Sequence, residues 1–387
     1  MAFAGKIYYL TRTWPQASRD RNCAPLRVIY AEALKRIGKV VVVTPGYGEK
    51  QPIVKTDLIA LPVNKTVLRF YRKAEEIGIV EDYLERWVQQ SVRFLQDRIT
   101  AEDVVFATTG GELGCIKIGA LLKQKTGCRL IVNFHDPIDG EVINGEMLLG
   151  YKGRSRQKAV MRYLLQADGM IASCQTYAEH LARSYPEKKD RIYSCLFGYL
   201  QKVQPSTKTY AGNPLSIVYA GATSAVQNVE VLYKALKGNK DVRLIFICAD
   251  AKERKAQMPE ENVVCLPLME HEKFLQFMRE EADVGFLSLH GDYAGNCVPS
   301  KLYEYINLGL PILACLPNGQ AKDIIRRKGY GVAADDDDVD GIRAGVQRML
   351  DPQEYKCFVE RVRADHEFWA CNQQTKTFYE AIQQLLT

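Results

Sequence analysis

Asn296-Cys-Val-Pro-Ser-Lys-Leu-Tyr-Glu-Tyr-Ile-Asn-Leu-Gly-Leu-Pro-Ile-Leu-Ala314 decides how this chain is read. Pro299 marks a helix start, because a proline in the first turn forfeits no helical hydrogen bond. Leu302, Tyr305 and Ile306 recur at helical spacing, which leaves Lys301 and Glu304 off the apolar face. Gly309 is placed to stop the helix as a C′ residue. Pro311-Ile-Leu-Ala-Cys315 then reads as a buried strand. Loop, helix, glycine and buried strand make one half of a parallel αβ unit. Unpaired amides at such a helix start attract phosphate. A lysine and a glutamate beside them can bind a phosphate and a sugar hydroxyl of one ligand.

The same grammar extends in both directions. Lys6-Ile-Tyr-Tyr-Leu10 reads as a first strand, Leu26 to Ile37 as a helix ended by Gly38, and Val40-Val-Val-Val-Thr44 as a buried parallel strand. Gly-x-Gly-x-x-Gly does not follow the first strand, so a dinucleotide cofactor is not expected. Glu81 to Arg98 reads as a long helix, and Asp103-Val-Val-Phe-Ala107 and Arg129-Leu-Ile-Val-Asn-Phe134 as strands. Between them, Thr108-Thr-Gly-Gly-Glu-Leu-Gly114 is a glycine-rich strand–helix junction, which serves close packing or phosphate equally well. His135-Asp136-Pro137 comes directly after a strand, where open α/β sheets bind ligands. Asp136 could orient the His135 imidazole or bind an acceptor hydroxyl. Residues 201–214 are polar with prolines at both ends, as a linker is. The β/α pattern then restarts with strands at Ser216–Ala220, Val242–Cys248, Val263–Leu266 and Val284–Leu289. The expected organisation is a doubly wound domain over 1–200, a linker at 201–214, a second doubly wound domain over 215–365, and a C-terminal helix at 366–387.

The 387 residues carry a formal net charge of +6. That charge is uneven: residues 1–200 hold 30 Lys and Arg against 21 Asp and Glu. A basic first half points to anionic partners, with solvated surface charge as the plain alternative. Lys65 to Lys73 mixes cations with Val67, Leu68, Phe70 and Tyr71; it suits either an anionic membrane surface or a covering loop. Tyr151 to Arg162 is the most basic stretch and leads into an amphipathic helix, which suits docking at a membrane. No RNA-binding motif is recognisable. No apolar run is long enough to cross a bilayer, and the first residues lack a signal-peptide pattern. Eleven cysteines without a CxxC pair read as reduced thiols of a cytoplasmic protein, one that could work at the inner face of a membrane. Asp335-Asp-Asp-Asp338 reads as a solvated turn, since four consecutive carboxylates cannot all face one ion. No metal site is expected.

Pro299-Ser-Lys-Leu-Tyr-Glu-Tyr-Ile-Asn-Leu-Gly-Leu-Pro-Ile resembles the donor-binding segment of GT-B glycosyltransferases, above all the retaining glycosyltransferase family 4. The resemblance implies two Rossmann-like domains facing across a cleft, with the terminal helix crossing back to the first domain. It implies transfer of a sugar from a nucleotide-sugar donor, without metal or cofactor and with retention, to a glycan or lipid-linked glycan acceptor in surface polysaccharide synthesis. Glu304 matches the family's ribose-binding glutamate; Asn296 stands eight positions earlier, where the family carries a second glutamate. His135-Asp136 resembles the family's strand-end histidine near the transferred sugar. The resemblance makes His135, Asp136, Asn296 and Lys301 candidates for catalysis. Donor binding falls to Gly221, Thr223, Ser224, Leu268, Met269, Gly295, Pro299, Ser300, Lys301, Leu302 and Glu304. Acceptor binding falls to Ser18, Arg19 and Asp136. The family's paired glycines after the first strand and its Arg and Lys after Ser216–Ala220 are not present. Three other readings stay open: a nucleotide-sugar epimerase of the same fold, a non-catalytic donor-binding protein, and a two-domain sugar-binding protein, the last disfavoured by the missing export signal.

Overall fold

In the computed structural model, which describes residues 3–15, 25–138, 142–143, 146–147, 151–208, 210, 214–224 and 226–387, the chain divides into two units. One comprises Met1–Leu196 with Thr375–Thr387, the other Phe197–Gln374.

The first unit is built on β1 (Lys6–Leu10), β2 (Lys39–Tyr47), β3 (Ile53–Val54), β4 (Leu58–Val63), β5 (Val104–Gly110), β6 (Arg129–Asp136), β7 (Val142–Ile143), β8 (Glu146–Met147), β9 (Gly169–Ala172) and β10 (Ile192–Ser194). Eight of these form one sheet in the order β10-β9-β6-β5-β1-β2-β4-β3, while β7 and β8 pair separately. Only β3 runs antiparallel within the large sheet. Its helices are α1 (Pro25–Lys35), α2 (Lys65–Glu76), α3 (Glu85–Leu95), α4 (Gly114–Thr126), α5 (Tyr151–Leu164) and α6 (Gln175–Ser184). Central strands buried on both faces need continuous apolar runs. Ile7 to Leu10, Val40 to Val43 and Val104 to Ala107 supply them, all buried.

The second unit holds β11 (Leu215–Ala220), β12 (Val242–Ile247), β13 (Val263–Leu266), β14 (Val284–Ser288), β15 (Ile312–Leu316) and β16 (Gly331–Asp335). All are parallel, in the order β13-β12-β11-β14-β15-β16. The helices are α7 (Glu230–Leu236), α8 (Ala251–Gln257), α9 (His271–Glu281), α10 (Ser300–Asn307), α11 (Gln320–Lys328), α12 (Val339–Leu350), α13 (Pro352–Ala364) and α14 (Cys371–Leu386). The last thirteen residues, mostly in α14, belong to the first unit. There Phe378 stacks on Tyr30 at 4.2 Å and meets the edge of Phe106 at 5.8 Å.

Several local expectations are corrected. Residues 65–73 are helix rather than loop: Asn64 caps α2 by accepting from the amides of Thr66 and Val67. The helix expected from Glu81 begins only at Glu85. Asp82 holds the approach in place by accepting from Leu84 N at 2.7 Å and Leu113 N at 2.6 Å. His135 and Asp136 are the last residues of β6 rather than the loop beyond it. Residues 201–208, read as linker, are fastened within the second unit. Val203 N donates to Asn307 Oδ1, Ser206 N to Leu308 O, and Arg363 to Ser206 O.

Candidate functional site

In an open parallel sheet the ligand crevice lies where strand order reverses, beyond the carboxyl ends of the strands. The second unit reverses between β11 and β14. A cavity of about 160 Å³ opens at the ends of β11, β12 and β13, lined by Ala220, Gly221, Ile247, Leu268, Met269, His271, Phe274 and Lys301. A dry cavity of ~150 Å³ takes a benzene-sized ring. This volume therefore matches one flat ring, such as a nucleobase, rather than a whole nucleotide sugar. Leu268 stands 59% exposed at its edge.

Lys301 links this cavity to the start of α10. Its Nζ lies 4.4 Å from the Phe274 ring centroid and 2.5 Å from Glu304 Oε2. Both side chains are partly exposed, at 29% and 24%. The two residues expected to act separately are thus one ion pair, so a ligand that takes Glu304 frees the ammonium. Pro299 is the N-cap of α10 in extended conformation, and Gly309 adopts φ +69° after its C-cap. Leu302, Tyr305 and Ile306 are fully buried. Tyr305 donates to Phe286 O at 3.2 Å and its ring covers Gly285, which seats α10 on β14. Ser300 is exposed. The Leu302 amide is already engaged with Pro299 O at 3.0 Å, so this residue holds the helix and offers a ligand no side chain.

The remaining donor candidates follow β11 or precede α10. Gly221 lines the cavity, but Thr223 donates to Asp250 at 3.1 Å and Ser224 to Gln227. The first ties the loop after β11 to the segment after β12, and the second stays within its own loop. Gly295 is buried, and a Cβ there would sit 2.2 Å from Asn318 O. This close approach fixes the partly buried Asn296 next to it. Near the same strand ends, His290 Nδ1 lies 3.1 Å from Asp336 and 3.2 Å from Asp337. These three could offer one donor atom each to a cation. Asp337 also accepts from Asn228, and Asp336 from Gly291 N.

The first unit reverses between β1 and β5. Here Glu112, 3% exposed, lies 3.2 Å from Arg27 Nη2 and 3.6 Å from Arg12 Nε, and accepts from Gly110 N at 2.9 Å. Arg27 also donates to Thr11 Oγ1 at 2.9 Å. Glu112 pushes the Arg12 guanidinium further up, so it stays charged. The ends of Asp136 and Arg27 both approach Gly110. Surrounding protein, then Glu112, raises the Asp136 carboxyl above its ordinary range, although Asp136 is exposed by area. The half-buried His135 is pushed down to about 3 by burial, then by Arg27 and Arg12. It is therefore neutral near pH 7. Its ring meets Tyr30 edge-on at 5.6 Å, and its Nε2 has no protein partner. The register of β5 on β6 shifts here, with Gly110 opposite Asp136 where Thr109 is opposite Phe134, so His135 is the extra residue of a bulge at the strand end. Ser18 and Arg19 lie outside the described residues.

Sequence reading missed His271 and Phe274 in the second unit and Arg12, Arg27 and Glu112 in the first. Glu112 lay inside the glycine-rich junction, which was read only for its glycines. Arg12 follows β1 directly, so the strand-end rule that singled out His135 would have found it.

No family model matches the sequence, and no curated protein matches it by sequence. Solved structures do match along nearly the whole chain. The lipopolysaccharide outer core galactosyltransferase WaaB aligns at TM-score 0.67 and 13% identity, covering 98% of this chain and 99% of that one. A UDP-forming α,α-trehalose-phosphate synthase from Burkholderia xenovorans aligns at TM-score 0.71 and 10% identity, covering all of both chains. An E. coli trehalose-6-phosphate structure bound with UDP-2-fluoro glucose aligns at 0.69 and 11%, covering 99% of each. The fold is GT-B. Identities this low establish the fold alone.

Proposed function

We propose that this chain is a glycosyltransferase that moves a sugar from a nucleotide-sugar donor to a glycan or lipid-linked glycan acceptor, with retention. The observation that carries this reading is the second unit's site. A ring-sized apolar cavity leads to a lysine–glutamate pair at a helix start, at the strand reversal of a GT-B fold. Phe274, Leu268 and Met269 would sandwich the base. Glu304 would accept the ribose hydroxyls, and Lys301, released from it, would stabilise the departing diphosphate with the first amides of α10. Such electrostatic support of the leaving group needs no metal. His135, neutral at working pH, would hydrogen-bond the transferred sugar, and Asp136 an acceptor hydroxyl. Asn296 would border the donor sugar, giving hydrogen bonds where a glutamate would only accept them. A lipid-linked acceptor would bring the chain to the cytoplasmic face of a membrane in surface polysaccharide synthesis. Family 4 is the retaining family that the α10 segment resembles.

A second reading has its own support. Lys301 is the one cation among the cavity-lining residues, and the Thr223 and Ser224 hydroxyls are committed to Asp250 and Gln227. A protein that binds donor without turning it over would look the same here. Thermal stabilisation by a panel of nucleotides and nucleotide sugars, in the presence of chelator, tests both. Selective stabilisation by one sugar nucleotide is expected, and Glu304→Ala should weaken it about 10- to 100-fold, as losing hydrogen bonds to a charged group does. Unchanged affinity in that variant would remove the site assignment. Binding without release of nucleotide in the presence of glycan acceptors would favour the second reading; release without any acceptor would point to an epimerase-like or hydrolytic activity.

A further inference from the structure

Helix α2 lies on the first unit almost without a core face: among its twelve residues Ala74 alone is buried. Phe70 is 69% exposed, and beyond the helix end Ile77 and Ile79 are 61% and 72% exposed. Single exposed aliphatic residues are ordinary. Three large ones within ten positions, on an element that buries so little, are not. Lys65, Arg69, Arg72 and Lys73 are all exposed on the same helix.

Helix α5 continues this surface. Arg156 reaches across to Glu75 at 3.2 Å, and Arg162 pairs with Glu81, so α5 lies against the end of α2 and the residues that follow it. The outer positions of α5 and its end are Arg154, Lys158, Met161 and Leu165, at the spacing of one helical face and all exposed. Each element therefore presents aliphatic or aromatic side chains between cations. Two of the nearby acids are engaged, Glu75 by Arg156 and Glu81 by Lys117 and Arg162, which leaves Glu76 as the exposed acid on α2 itself.

We propose that α2, residues 77–79 and the outer face of α5 form a docking surface for an anionic phospholipid bilayer. The apolar side chains would enter the acyl boundary while lysine and arginine stems extend to the headgroups. Charge complementarity selects this occupant, since Lys65, Arg69, Arg72, Lys73, Arg154 and Lys158 are exposed on the two helices against the single exposed acid Glu76 of α2. The isoleucines and methionine argue against nucleic acid, whose bases stack on aromatic rings. The inference deepens the proposed function, resting on it for the purpose of docking; the surface itself is independent of donor chemistry.

Sedimentation with vesicles tests it, using phosphatidylcholine alone and an equal mixture of phosphatidylcholine and phosphatidylglycerol. The full chain is expected to pellet with the mixed vesicles, less so as salt is added, and to stay in solution with the neutral ones. Arg69→Glu with Lys73→Glu should weaken binding at least about twentyfold, since each cation near an anionic surface contributes roughly fivefold. Phe70→Ser, Ile77→Ser and Ile79→Ser together should abolish it. These positions are exposed, so the unfolding transition of the first unit should keep its midpoint. A wild-type chain that stays in solution with both vesicles overturns the proposal, as do variants that bind like wild type. A serine variant that turns a dimer into a monomer while vesicle binding persists would assign the surface to a second copy of the chain. Nucleotide-sugar stabilisation measured on the same samples separates failures: loss of docking with donor binding intact sinks only the surface, and the converse sinks only the function.

Discussion

At the scale of the residue, the two candidate sites use charge in opposite ways. Glu304 and Lys301 pair at a partly exposed surface, where an ion pair contributes roughly 0–1 kcal/mol. Glu304→Ala should therefore hardly change stability while it weakens donor binding, which is what a recognition group does. Glu112 and Arg27 pair in the interior, with side chains 1% and 4% exposed. Breaking a buried pair leaves an uncompensated charge and costs about 3–5 kcal/mol. Glu112→Ala should accordingly lower the denaturant midpoint of the first unit sharply. An unfolding curve within 1 kcal/mol of wild type would show that water reaches Arg27 and that the pair is not structural. Sequence alone separates these glutamates poorly. Each lies near a glycine and a helix start, and only burial distinguishes them.

At the scale of the element, α10 was legible because its signals are local. A proline at the start, three apolar residues at helical spacing and a glycine at the stop all lie within eleven positions. The longer central strands were legible for the same reason, as apolar runs, whereas the short β3, β7, β8 and β10 and the edge strand β16 were not read. What holds α10 in place was not. Gly285 in β14 lies under the Tyr305 ring, and an added Cβ would come within 2.4 Å of it. That requirement joins residues twenty positions apart and leaves no pattern in either segment. The same holds for Gly319, whose Cβ would strike Gly295 O at 2.1 Å. Helix α2 was missed for a different reason: Val67, Leu68, Tyr71 and Ala74 do recur at helical spacing, but the stretch was read by its cations. Gly285→Ala tests the seating of α10. Overpacking of this kind costs about 1–3 kcal/mol, and the displaced helix should weaken donor binding along with stability. A variant that loses stability yet keeps full donor affinity would show that the helix start is positioned by the Gly295–Gly319 crossing instead.

At the scale of the whole molecule, the chain's end completes the unit in which the chain begins. Arg129 and Arg191 donate to the carbonyls of Leu386 and Leu385, and Leu385 packs where a Cβ on Gly169 would sit. Phe378 is 1% exposed between Tyr30 and Phe106. Trp369, nine residues earlier, belongs instead to the second unit, where its indole donates to Tyr330 at 2.7 Å. Two units with separate cores need not unfold in one step, so a single melting temperature is not a defined quantity for this chain. Phe378→Ala distinguishes them. Removing a buried phenylalanine costs about 3–5 kcal/mol, and that loss should fall on the transition of the first unit. The transition that a nucleotide sugar shifts should keep both its midpoint and its ligand response, because the ring-sized cavity, Lys301 and Glu304 of the proposed donor site all lie in the second unit. Calorimetry with and without donor reads both quantities at once. A Phe378→Ala chain whose donor-sensitive transition falls by the same amount would show that the two units unfold as one, and that stability lost at the last helix is lost at the donor site as well.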